Sequence, residues 1–129
     1  MHRDFQLGED DCLCLNGYGF LWDALVEKNV QWVILRGYTI PPGYNVVTAD
    51  AAIRIPPSYP DGGLDMVYFF PALSLKSGRA IAKLTLHPLE GKQYQQWSRH
   101  YPWQPGVHSL CTHLLLIKTW LERELKGAA

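Results

Sequence analysis

The chain has 129 residues, with twelve Lys plus Arg balancing twelve Asp plus Glu, so it is long enough for one hydrophobic core and carries no formal net charge. It has no basic run interleaved with aromatics, which argues against nucleic acid as a partner, and its longest apolar runs fall far short of the roughly 20 residues that span a bilayer. The opening MHRDFQLGEDD lacks the apolar stretch of a secretion signal, and three cysteines (Cys12, Cys14 and Cys111) are too few for a disulfide scaffold. The expectation is one cytoplasmic domain over residues 1–129, with free thiols and no membrane association.

Residues Glu9 to Asn16, acidic at the start and closed by Asn16-Gly17, predict a short helix with a glycine stop. Phe20 to Glu27 and Val30 to Arg36 are rich in β-branched, aliphatic and aromatic residues, and Lys28-Asn29 between them predicts a hairpin turn. Pro41-Pro42-Gly43 breaks the chain. Val46 to Ile55 alternates apolar and polar residues up to Pro56-Pro57, as a strand with one wet face does. Leu64 to Phe70 is a fourth strand, bounded by Asp61-Gly62-Gly63 and Pro71, and short connections throughout predict a four-stranded antiparallel meander. Leu73 to Leu75 and Ala80 to Leu86, around Lys76-Ser77-Gly78, give only a weak strand signal. At the C-terminus Leu110, Leu114, Ile117, Leu121 and Leu125 recur at helical spacing, with His108 or Ser109 as N-cap and Gly127 as stop. The fold class is therefore α+β: a short N-terminal helix, a sheet, and a long C-terminal helix covering one face.

Between the weak segment and that helix lies Gln93 to Trp103, QYQQWSRHYPW, read as a loop carrying Trp97, Ser98, Arg99, His100, Tyr101 and Trp103. Large aromatics in a connection anchor it to the body of the domain and hold it in one shape, which suits it to position chemistry.

Tyr59-Pro60, the strand Asp65 to Pro71, His87-Pro88, and Trp103-Gln104-Pro105 before a long helix form an ordered series that resembles the ubiquitin-conjugating-enzyme fold. Within that superfamily, YPDGGLDM, QQWSRHYPWQPGV and the terminal helix are similar to the bacterial branch called prokaryotic ubiquitin-conjugating-enzyme-like family E, over nearly the whole chain from about Asp10. The resemblance implies a carrier that takes the C-terminal carboxyl of a ubiquitin-like protein from an adenylating activating enzyme as an ester and passes it to an amine, with no cofactor. It also implies an operon that includes an isopeptidase, in antiphage defence.

Two departures bear on the chemistry. His-Pro-Asn of the eukaryotic enzymes is His87-Pro88-Leu89 here, and the window that holds their catalytic cysteine contains no cysteine and one hydroxyl, Ser98. On this resemblance Ser98 is the candidate acceptor, forming an oxyester, with His100 or His87 as general base. Asp65 is placed to orient an imidazole, Arg99 to steady the oxyanion or grip the incoming tail, and Trp97 and Trp103 to fix the loop. A loop serine is by default a turn or capping residue, so the catalytic reading leans on the resemblance. Cys111 is the rival nucleophile, although it follows Trp-x-Pro rather than preceding it. Cys12-Leu13-Cys14 lacks C-x-x-C spacing and a second cluster, so no metal site is expected. A non-catalytic adaptor of the same fold, docking activating enzyme and ubiquitin-like protein, is the alternative.

Overall fold

A computed structural model describes residues 2–127. Its elements run α1 (Glu9–Gly17), β1 (Leu21–Glu27), β2 (Val30–Thr39), β3 (Thr48–Ile55), β4 (Val67–Phe70), β5 (Leu84–Leu89), β6 (Lys92–Trp97) and α2 (Leu110–Leu125). The α+β class and both helices are as expected, but the sheet has six strands, not four, in the antiparallel order β1-β2-β3-β4-β6-β5. The two additional strands form a hairpin, and β6, the second of them, pairs with β4. Gln93 to Trp97 is thus strand rather than loop, and the meander is broken at its far end.

Pro88 and the three glutamines of Lys92–Trp97 hid this hairpin. Its turn, Glu90-Gly91, has both residues at positive φ (56° and 70°), the requirement of a tight I′ connection, but Pro88 just before it reads as a strand breaker. Ser98 N–H donates to Lys83 C=O, so the hydrogen-bonded pairs fall at every second residue and Pro88, opposite Gln93, lies between them. On this edge strand its missing N–H points outward and costs no ladder bond. The hairpin from β1 to β2 follows expectation, with Lys28 and Asn29 at φ 52° and 64°.

Strand alternation sorts the apolar residues onto two faces. One face joins Val33, Leu35, Ile53, Phe69 and Trp97 to Leu110, Leu114, Ile117 and Leu121 of α2 and to Leu15 of α1, forming the main core. The other carries a smaller cluster of Trp32, Ile34, Ala52, Tyr68, Leu89 and Tyr94. α1 ends in a Schellman motif in which Phe20 N–H donates to Leu15 C=O and Gly19 N–H to Asn16 C=O; the left-handed residue is Gly19 at φ 74°, two positions beyond the expected stop. α2 starts with a capping box between Ser109 and Thr112, and beyond its last residue, Leu125, the chain turns at Gly127 with φ 75°.

The expectation of free thiols is corrected. Cys14 in α1 and Cys111 in the first turn of α2 are joined by a disulfide, with 6.1 Å between their Cα atoms, and Cys12 is the free cysteine. Ninety-seven residues separate the pair in sequence, which is why spacing gave no sign of it. No helix among the described residues is long and apolar enough to cross a membrane.

Candidate functional site

Three pieces of chain converge where β4 begins, β6 ends and α2 starts. Met66 enters β4 in the left-handed region, at φ 62°, which a side-chain-bearing residue holds only when its surroundings fix it. Here both of its backbone groups are held: Met66 N–H donates to Arg99 C=O at 2.9 Å, and Met66 C=O accepts from His113 Nε2 at 2.8 Å. His113 is fully buried, and burial lowers its pKa to about 4, so the ring is neutral with its proton on Nε2. Nδ1 is then an acceptor, and Tyr101 O–H donates to it at 2.7 Å.

One buried imidazole thus ties Met66 to Tyr101, and the residues just before these two are Asp65 and His100. His100 Nδ1 lies 2.9 Å from Asp65 Oδ2, and both side chains are largely exposed, at 63% and 50%. A proton on Nδ1 directed at the carboxylate leaves Nε2 with its lone pair, and Nε2 meets no partner among the described residues. This is the arrangement in which an acid orients a histidine for proton transfer.

Ser98 immediately follows β6 and is half-buried, its hydroxyl accepting from Gln96 Nε2 at 3.5 Å and hydrogen-bonded to no imidazole. Arg99 lies across the Trp97 ring, its guanidinium carbon 4.9 Å from the centroid, and reaches Glu124 Oε1 at 3.3 Å. That carboxylate is itself buried near the end of α2 and also binds Arg79. Trp97 is fully buried and donates to Gln95 Oε1, while Gln95 spans the N–H and C=O of Leu73 as a substitute strand neighbour. Trp103 donates to Pro60 C=O at 3.0 Å and covers Gly63, where a Cβ would fall 2.6 Å from its side chain. The YPDGG turn and the loop after Ser98 are therefore one packed unit.

His87 sits elsewhere. It faces Tyr94 across the β5–β6 pair and packs on Trp32 and Tyr68, on the sheet face opposite α2. Its cross-strand partner Tyr94 lies four positions before Ser98, about 13 Å at strand rise. Leu89, in the place of the eukaryotic asparagine, is buried in the same cluster. Sequence reasoning gave neither His113 nor Glu124 a part in the site. His113 lies three residues after Leu110 and one before Leu114, so its place on the apolar stripe was the available sign. Among the described residues no group of three or more His, Cys, Asp or Glu side chains is disposed to hold a metal ion.

The sequence matches the family described as Prokaryotic E2 family E over residues 7–124. The chain belongs to that family. Its membership carries a ubiquitin-conjugating-like role, and with it interaction in general with ubiquitin-like proteins and activating enzymes. Within this family-E chain, residues 7–124 include α1, all six strands and nearly all of α2, so the Asp65–His100 pair and the clamp behind it lie inside the matched region. No curated protein and no solved structure matches the chain.

Proposed function

We propose that this family-E protein accepts the activated C-terminal carboxyl of a ubiquitin-like protein on Ser98 as an oxyester and passes it to an amine. The observation that carries this reading is the Asp65–His100 pair, 2.9 Å apart and held from behind by His113, two residues from the one hydroxyl in the window where related enzymes carry a cysteine. Ser98 Oγ attacks the activated acyl carbon, its proton passes to His100 Nε2, and the activating group leaves as the imidazolium gives that proton up to it or to solvent, which restores the neutral ring. The acceptor amine then attacks the ester carbonyl, loses a proton to the imidazole, and the Ser98 oxygen departs and is reprotonated. His100, with its exposed ring, is the base in this scheme, and His87 is too far along the strand. Arg99, engaged with Glu124 and Trp97, positions the loop. The adenylating partner, the isopeptidase and the antiphage setting that the resemblance implies belong to the same proposal.

Intact-mass measurement after incubation with the activating enzyme, the ubiquitin-like protein and ATP tests this reading. The expected adduct resists mild thiol, is released by hydroxylamine and is lost in Ser98→Ala; undiminished transfer in that variant would overturn it. A thiol-labile adduct would point to a cysteine. Since Cys111 is paired with Cys14, the thiol then at issue is Cys12. Buried Leu89 and the absence of a Ser98–imidazole hydrogen bond favour the second reading, an adaptor without covalent chemistry. It predicts a stable complex and no adduct.

A further inference from the structure

Away from Ser98, the N-terminal segment from Phe5 to Asp11 and the end of β3 with its Pro56-Pro57 extension enclose a cleft of about 480 Å³. That volume falls in the range of pockets that take specific ligands. Its apolar wall, somewhat more than half of the lining, is formed by Phe5, Leu7, Ile55 and the three prolines Pro56, Pro57 and Pro60. Its charge has one sign: Glu9, Asp10 and Asp11 line it, and among the described residues no Lys, Arg or His does.

Asp11 supplies a second, independent observation. Its residue is only 7% exposed, and Oδ2 accepts from Tyr59 O–H at 2.7 Å, with Tyr59 in turn accepting from Leu110 N–H at 2.8 Å. Oδ1 accepts no hydrogen bond among the described residues. Among the described residues no fully buried side-chain oxygen or nitrogen is left without a partner, so Oδ1 keeps some contact with solvent, and Asp11 is one of the residues that line the cleft. Burial accordingly pushes this carboxyl up from the usual aspartate value. A carboxylate in such a position gains from a cation that replaces its lost water. An anion drawn to the amide end of α1 would instead face three carboxylates.

We propose that this cleft binds a lysine or arginine side chain of a protein partner, its cationic head on Asp11 Oδ1 and its apolar neighbours on the Phe5, Leu7 and proline walls. The apolar wall beside the charge favours a peptide chain over a small amine, because a lone cation would leave that surface wet. The site is separate from the acyl-carrying chemistry and stands or falls without it.

The test is an ¹⁵N-resolved titration of the whole chain with acetyl-Leu-Arg-Leu-amide, beside acetyl-Leu-Gln-Leu-amide and agmatine. The arginine peptide is expected to give saturable shifts at the Gly8 to Asp11 and Tyr59 amides, with at least tenfold weaker binding by the glutamine peptide and by agmatine. Asp11→Asn keeps an acceptor for Tyr59 and should weaken the arginine peptide at least tenfold. Glu9→Gln, at an exposed position, should weaken it severalfold and serves if Asp11→Asn does not fold. Absence of saturable shifts, equal response to the glutamine peptide, or undiminished binding in the folded variants would overturn it. Equal binding of agmatine would overturn the assignment to a protein side chain.

Discussion

Lowering the pH from 6.5 to 4 should cost the fold about 3 kcal/mol through His113 alone. In the unfolded chain this imidazole takes a proton near its ordinary 6.5, whereas in the fold burial holds its pKa at about 4. Between these values the unfolded state binds more protons, so stability is full above pH 6.5 and falls as pH drops, with a slope of at most about 1.4 kcal/mol per pH unit. The difference of about 2.5 units gives the total. Asp23 and Glu90 are held below the usual carboxylate range, so their contributions are lost only below about pH 4.5, in a separate window. Asp11, raised by burial, acts with the opposite sign and favours the fold as it is protonated. Urea denaturation across pH 7.5 to 4 measures the slope in wild type and in His113→Gln, whose amide can still donate to Met66 and accept from Tyr101. The variant should be less stable at pH 7 by about 1–2 kcal/mol and nearly flat from 6.5 to 4.5. An unchanged slope in His113→Gln, or an NMR titration of folded His113 centred near 6.5, would refute the reasoning.

Further perturbations test other joints of the structure. Gly63→Ala puts a methyl 2.6 Å from the Trp103 side chain and should lower stability by about 1–3 kcal/mol, with a shift in tryptophan emission. Arg36 binds Asp23, Asp50 and Glu90 at 2.5–2.9 Å from a half-buried position; Arg36→Leu strands three carboxylates and should cost about 2 kcal/mol in denaturant titration, a value reduced from the fully buried case for solvent screening, and Arg36→Lys should restore less than half of it. Replacing Cys14 and Cys111 together with serine opens a loop of nearly 100 residues and should lower stability by at most about 4–5 kcal/mol, read from the denaturation midpoint under oxidising conditions.

Much of the fold was legible where local chemistry agrees with tertiary role. The Lys28-Asn29 turn, the alternation of β3 and the periodicity and caps of α2 each predict what the structure contains. The β5–β6 hairpin was not legible because both its signals were masked. Pro88 looks like a breaker unless the strand is already known to lie at an edge, and three glutamines in Lys92–Trp97 hide the alternation of Tyr94 with Trp97. One of those glutamines, Gln95, is buried because its amide serves the backbone of Leu73, a role that only the assembled structure creates. At the candidate site the residue types were readable and their geometry was not. Nothing local pairs Asp65 with His100 across 35 residues, and although the apolar stripe of α2 marks His113 as buried, nothing in the sequence shows that it holds both Met66 and Tyr101.

The disulfide has a consequence for both surfaces. α1 is nine residues long with no side-chain cap at its start and no basic residue in its last turn, and helices that short are marginal in water by themselves. It is held by Leu15 in the core, by the Schellman end, by the Asp11–Tyr59 bond and by Cys14–Cys111. Two of these ties end at the start of α2: Cys111 is in its first turn, and Tyr59 also accepts from the N–H of Leu110. His113 lies in that same turn and holds Met66 and Tyr101. Reduction therefore removes a tie from the helix that lines the acidic cleft while leaving the hydrogen bonds behind Asp65–His100 in place. The cleft should loosen first, seen as faster amide exchange at Gly8 to Asp11 than at Met66 and Tyr101. Equal acceleration at both would mean that the start of α2 depends on the covalent link as much as α1 does.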